Sequence, residues 1–155
     1  MISLSCDQKP YKPTVISIFA GCGGSTLGYK WAGYNERLAV EWDNHAVNVF
    51  RLNFPDIPVY NADVAKLSLD RIYELSGLKP GELDVLDGSP PCQGFSTAGK
   101  RRFNDNRNQL FHEYCRLLQE LQPKCFIMEN VSGMIKGKMK LIFVDILKAL
   151  KDCGY

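Results

Sequence analysis

Short apolar runs alternate with helix-spaced segments along the whole chain, and that alternation restricts the fold more than any other feature. Residues 14–19 are β-branched and apolar, as a central strand requires. Residues 37–41, 59–60, 83–87 and 125–128 read as further strands. Leu27 and Trp31 share one face of a first helix that starts near Ser25 and ends around Gly33. Asp43 can cap a second, which carries Ala46, Val47, Val49 and Phe50 and stops before Pro55. Leu69, Ile72 and Leu75 mark a third. Leu110, Tyr114, Leu117, Leu118 and Leu121 mark a fourth, closed by Pro123. Leu141, Ile142, Ile146, Leu147 and Leu150 mark the last, with Gly154 as its stop. Such alternation builds βαβ units: an α/β fold with a doubly wound, mainly parallel sheet and helices on both faces. A strand would come next after the last helix. The sheet is therefore expected to be incomplete at its C-terminal edge, leaving 125–128 as a bare edge strand.

At 155 residues the length fits one domain. Residues 1–13, polar and interrupted by Pro10 and Pro13, read as a flexible arm ahead of a domain over 14–155. A net charge of +2 is too mild to argue for nucleic acid by itself. The six cysteines include no C-x-x-C pair and their spacing is irregular, which argues against a zinc site and a disulfide scaffold. No metal is expected. Reduced thiols in a cytoplasmic compartment, or a nuclear one in a eukaryote, fit better. The N-terminus is no signal peptide, and no apolar run is long enough to span a bilayer.

The most constrained stretch is Asp87-Gly88-Ser89-Pro90-Pro91-Cys92-Gln93-Gly94-Phe95-Ser96. The two prolines fix φ and remove backbone donors, so Cys92 is held on a stiff turn just past a strand end. In open parallel sheets ligands and chemistry sit there. Cysteine is the best neutral-pH nucleophile once its thiolate is stabilised. An isolated Pro-Pro-Cys would read more readily as a buried structural cysteine in a tight loop.

Phe19-Ala20-Gly21-Cys22-Gly23-Gly24 lies between the first strand and its helix. Such a turn lets a ligand lie against bare backbone and a helix N-terminus. Thr26 stands where the third glycine of G-x-G-x-x-G would be, and a purely structural tight turn remains open. Glu41, at the end of the second strand, can accept from both ribose hydroxyls of a nucleoside, and Trp42 offers a flat face to adenine. Asp63, after the third strand, could accept from an adenine amino group or simply cap a helix. Together these strand ends suggest an adenosine-containing cofactor, either NAD or S-adenosylmethionine. Cys92 and Glu129 follow what would be neighbouring strands, so a thiolate and a carboxyl could reach one small substrate.

On these residues the sequence resembles the N-terminal part of the cytosine-5 DNA methyltransferase family. Phe19 to Gly24 is similar to the family's first motif, Glu41-Trp42-Asp43 to the second and Asp63-Val64 to the third. Gly88 to Ser96 is similar to the fourth and most specific motif. Asp105, Arg107 and Leu110-Phe111 match the segment that follows it, and Phe126-Ile127-Met128-Glu129-Asn130-Val131 the sixth motif. The resemblance runs over 14–155 and implies a Rossmann-like S-adenosylmethionine-dependent methyltransferase fold. It implies Cys92 as nucleophile towards C6 of cytosine, and Glu129 as the group that binds N3 and the exocyclic amine from a dry pocket. It implies that Phe19, Ala20, Gly21, Gly23, Gly24, Glu41, Trp42, Asp63, Val64 and Leu110 line S-adenosyl-L-methionine, with Pro90 near the reacting methyl. Ser89, Pro91, Gln93, Gly94 and Asn130 would meet the target base. Ser96, Lys100, Arg101 and Arg102, in a loop over 94–106, would close over it and touch phosphates. The partner is double-stranded DNA with the target cytosine flipped out.

The family's later elements are a Gln-x-Arg-x-Arg segment, a target-recognition region and a final Asn-containing motif. They do not occur here. The chain is thus expected to be a truncated form, an incomplete reading frame or one subunit that needs a second polypeptide. Two alternatives stay open: a tRNA cytosine-5 methyltransferase of the same family, and a non-catalytic module that binds a cofactor or a partner.

Overall fold

The computed structural model describes residues 11–90, 109–130 and 139–155. Its elements run β1 (Thr14–Ile18), α1 (Gly24–Trp31), β2 (Asn35–Val40), α2 (Asn44–Asn53) and β3 (Val59–Tyr60). A single 3-10 turn, Val64–Lys66, leads to α3 (Leu69–Ser76) and β4 (Val85–Gly88). Then come α4 (Gln109–Leu121), β5 (Cys125–Ile127) and α5 (Met139–Asp152). The strands form one sheet in the order β3-β2-β1-β4-β5, every pair parallel. The order reverses between β1 and β4, which makes that gap the topological switch point.

Strand alternation decides which helix goes where. Ile16 and Ile18, Leu38 and Val40, and Leu86 face one side and form the main core with residues of α3, α4 and α5. Ala39 faces the other side and packs with Phe50 and Phe54 under α2. Local chemistry fixes the helix starts: Asp43 accepts from the Ala46 N–H at 2.8 Å, and the Ser68 hydroxyl accepts from the Arg71 N–H at 3.3 Å. Gly154 ends the last helix at φ +100°.

The helical faces depart from expectation at two places. Leu27 and Trp31 are 38% and 80% exposed, and Thr26 is the buried residue of α1. Its hydroxyl donates to Glu36 Oε1 at 3.0 Å, which turns Thr26 towards β2 and the Leu27/Trp31 face outward. In α5, Ile146 and Leu150 are buried whereas Leu141 and Leu147 are exposed. β4 also extends one residue further than expected, through Gly88. A Cβ there would stand 2.7 Å from the Tyr114 ring, so only glycine lets α4 lie this close to the strand end.

The described end of the N-terminal arm is tied to the foot of the sheet. The Tyr11 hydroxyl and the Thr14 N–H donate to Asp84 Oδ2 at 2.5 and 2.7 Å, and Lys124 pairs with Oδ1 at 2.7 Å. Burial would raise the Asp84 carboxyl, but these bonds outweigh it and hold the group well below the usual carboxylate range.

Candidate functional site

The carboxyl ends of β1, β2 and β3 open into one crevice of about 480 Å³. Phe19 comes from the end of β1, Glu41 and Trp42 from the end of β2, and Ala62, Asp63 and Val64 from beyond β3. Ser89, after β4, and Leu110, at the start of α4, close the other side. Seven residues singled out in the sequence thus meet in one place: Phe19, Glu41, Trp42, Asp63, Val64, Ser89 and Leu110.

Glu41 is the hub of this crevice. Its Oε2 accepts from the Gly21 N–H at 2.8 Å. Its Oε1 accepts from the N–H groups of Trp42 and Asp43, both at 2.9 Å. One buried carboxylate therefore ties the glycine turn to the β2 loop. A carboxylate offers about four acceptor positions, so capacity for a ligand hydroxyl remains. Asn61 braces the same loop by donating from Nδ2 to the carbonyls of Glu41 and Trp42, each at 3.2 Å. Trp42 itself is 77% exposed, with its ring at the mouth of the crevice.

Asp63 serves as a cap: Oδ1 accepts from the Ala65 N–H at 3.0 Å. The cap uses one oxygen, so the capping and ligand-binding readings are compatible. Phe19 adopts φ +60°. A left-handed non-glycine residue costs about 1–2 kcal/mol, and this one stands in the crevice wall, where stored strain is commonly functional. In the glycine turn, Gly21 and Gly23 take φ +55° and +93°. Nothing lies within 4 Å of a Cβ built at Gly21 or Gly24, so backbone there is open to a ligand.

The walls are aromatic and aliphatic and the polar groups at the rim are acceptors. Such an acceptor set fits a purine nucleoside, whose ribose hydroxyls and exocyclic amine are donors. Gly23 and Gly24 line a separate hollow beside Leu27, Lys30 and Trp31. Among the described residues no group of three or more His, Cys, Asp or Glu could hold a metal ion.

Beyond β4, Pro90 is buried. Pro91, Cys92, Gln93, Gly94, Ser96, Lys100 and Arg101 lie outside the described residues. β5 pairs with β4 through Val85–Cys125, Leu86–Phe126 and Asp87–Ile127, so the segments carrying Cys92 and Glu129 leave adjacent strands. Glu129 is exposed and Asn130 half-buried. Glu129 lies just past β5, an edge strand of the described sheet.

Several contributors carried no sequence signal. The Tyr114 hydroxyl lies 3.3 Å from the Leu86 carbonyl oxygen and 3.1 Å from that of Ile127, donating between the ends of β4 and β5. Asp87 is buried against the side chains of Ser25 and Tyr29; burial raises its carboxyl, and those hydrogen bonds offset part of the rise. Only the pairing of strands shows these contacts.

The parallel sheet and its helices define a Rossmann-like methyltransferase fold with a crevice at the carboxyl ends of its strands. The chain belongs to the C-5 cytosine-specific DNA methylase family, whose model matches residues 13–155. It is 42% identical over 145 residues to the Type II methyltransferase M.AquIA of Picosynechococcus, covering 90% of this chain and 58% of that protein. It is 38% identical to the Type II methyltransferase M.NgoPII of Neisseria gonorrhoeae, covering 94% of this chain and 41% of that one. Among solved structures it is similar to a DNA modification methyltransferase, so described provisionally, from an E. coli prophage. That match has a TM-score of 0.73 and 37% identity, and covers 91% of this chain and 38% of the other. It is also similar to Spodoptera frugiperda DNMT2, at a TM-score of 0.63 and 27% identity, covering 89% and 41% of the two chains. The chain thus spans 58% and 41% of the length of the two curated relatives, M.AquIA and M.NgoPII.

Proposed function

We propose that this chain is the cofactor-holding and nucleophile-bearing part of an enzyme that methylates C5 of cytosine in duplex DNA. The observation that carries the reading is the convergence of Phe19, Glu41, Trp42, Asp63, Val64 and Leu110 on one crevice, in a chain of this family. Residues 14–155 would form a partial catalytic domain, with 1–13 as an arm. S-adenosylmethionine is the methyl donor. Glu41 would accept from the ribose, Asp63 from the adenine amine, and Trp42 would cover the base. Ala20, Gly21, Gly23 and Gly24 would lie along the amino-acid end, with Pro90 beside the reacting centre.

Cytosine C5 is a poor nucleophile until an electron pair is pushed into the ring. Cys92, as thiolate, adds to C6. Glu129 holds N3 and the exocyclic amine, and a proton shared at N3 neutralises the charge that develops there. C5 then takes the methyl group, a base removes the C5 proton, and the Cys92–C6 bond breaks to return the thiolate. Seating the flipped base over the exposed Glu129 would supply the desolvation that its role requires. Ser89, Pro91, Gln93, Gly94 and Asn130 would frame the base, while Ser96, Lys100 and Arg101 meet phosphates. Sequence choice would come from further polypeptide, in continuation of these residues or on a second chain. The compartment would be the cytoplasm, where the DNA of a bacterium lies.

The test is transfer of labelled methyl from S-adenosylmethionine to duplex DNA and to tRNA, with Cys92→Ser as control. Label on DNA that vanishes in the variant is expected once the missing polypeptide is added, and no sequence preference is expected without it. Label confined to tRNA would move the substrate to RNA. Label on DNA that survives Cys92→Ser would refute the covalent route.

A further inference from the structure

We propose that Arg116 is a positioning residue for the crevice: from α4 it pins the wall that carries Asp63 and Val64, and so sets selectivity for the base of the cofactor. This rests on the adenosine-cofactor reading above. Arg116 Nη2 donates to the carbonyl oxygens of Val64 at 3.3 Å and Leu67 at 3.1 Å. These two carbonyls bracket the 3-10 turn Val64–Lys66. The turn's own bonds are local: Lys66 N–H to Asp63 O, Leu67 N–H to Val64 O, and Ala65 N–H to Asp63 Oδ1. Local bonds shape the turn but do not say where it sits. Arg116 supplies that information across 52 and 49 residues of sequence.

The guanidinium reaches the turn already oriented. Its Nε donates to Glu113 at 2.7 Å and its Nη1 to Glu120 at 2.8 Å, one helical turn to either side on α4. That leaves Nη2, whose two hydrogens match the two carbonyls. A planar fork with fixed donors can do this; a lysine ammonium, a single point on a flexible stem, cannot serve all four acceptors in this arrangement. The same helix carries Leu110, which lines the same crevice. Arg116 therefore ties the Asp63–Val64 segment to the helix that carries Leu110. The ion pair Arg71–Glu74 on α3, at 2.6 Å, is a natural control, because it is solvent-exposed and joins neighbouring turns of one helix.

Two measurements test this. The first is calorimetric binding of S-adenosylhomocysteine and of its hypoxanthine analogue, which presents an oxygen where adenine has its amine. The intact chain should prefer the adenine ligand. Arg116→Ala should weaken that ligand about ten-fold, the scale of a charge-assisted hydrogen bond, and leave the hypoxanthine ligand little changed. Arg116→Lys should recover only part, and Arg71→Ala should match the intact chain. Equal weakening of both ligands, or no weakening, would overturn the proposal. The second is amide hydrogen exchange, which needs no ligand: residues 64–67 should exchange faster in Arg116→Ala than in Arg71→Ala, with β1 and β2 unaltered. Failure of the intact chain to bind either ligand would refute the cofactor reading. The exchange result alone would then decide whether Arg116 holds the wall.

Discussion

At the scale of single residues, Glu36 is a buried acid held away from ordinary carboxylate behaviour. It is buried beneath α1, with Oε1 accepting from the Thr26 hydroxyl. Its Oε2 and Ser17 Oγ are buried without a well-formed hydrogen bond among the described residues. Burial is the main cause that pushes this carboxyl up to about 7, tempered by the Ser17 and Thr26 hydroxyls and reinforced by Asp87. The folded state therefore keeps a proton that the unfolded chain releases near 4.5. Stability is unaffected by this group below that pH and falls as pH rises from there to about 7. Glu36→Gln removes the titration, so it should be neutral at pH 4 and stabilising at pH 8 by up to about 3 kcal/mol. Urea unfolding at the two pH values checks this; parallel pH dependences for the two proteins would sink it. Asp84 gives the opposite sign. Its depressed carboxyl contributes stability above 3.8 that is lost as pH falls. Asp84→Asn should therefore lower stability at neutral pH and flatten the acid limb of the same unfolding curve. Neither acid could be singled out from the sequence, because burial is a property of the assembled sheet. Thr26 drew notice only for not being glycine.

At the scale of elements, the turn from β1 into α1 is the most exacting. Gly23 combines φ +93° with a Cβ position 2.4 Å from the Phe54 ring at the end of α2. Both backbone and packing forbid a side chain, so Gly23→Ala should cost more than about 2 kcal/mol. Gly21→Ala, with φ +55° and open space, should cost about 1 kcal/mol. Combining Gly23→Ala with Phe54→Leu should cost less than the sum of the two singles, since the rings and the new methyl compete for one volume. Strict additivity in thermal unfolding would mean that Phe54 is not the obstacle. The existence and type of these elements could be read from periodicity and turn residues, and the strand ends that make the crevice came with them. The orientation of α1 could not. Leu27 and Trp31 have helical spacing, yet the Thr26–Glu36 bond turns them to solvent. Likewise Glu41 was recognisable as a ligand acceptor, while its bond to the Gly21 N–H depends on segments 20 residues apart meeting.

At the scale of the whole molecule, the described sheet has two edges, β3 and β5, and the β5 edge has the greater consequence. β3 is a two-residue strand, and short edges recruit partners poorly. β5 pairs with β4 on its inner side, and no described strand meets its outer side. Ile127 is 46% exposed on the face opposite α5, beside an exposed Cys125. An apolar edge strand with free backbone groups templates pairing with another chain. No helix among the described residues is long and apolar enough to cross a membrane. In solution this chain can meet that edge with the same edge of a second copy of itself. It should therefore self-associate reversibly as its concentration rises through the micromolar range, and Ile127→Lys should shift it towards monomer. The lysine keeps the backbone pairing with β4 but puts a charge where two edges would meet, so thermal stability should change by less than about 1 kcal/mol. Sedimentation velocity over a concentration series distinguishes the outcomes. A wild-type chain that stays monomeric throughout would show that the β5 edge is unavailable, and the polypeptide that completes the enzyme would then have to dock elsewhere.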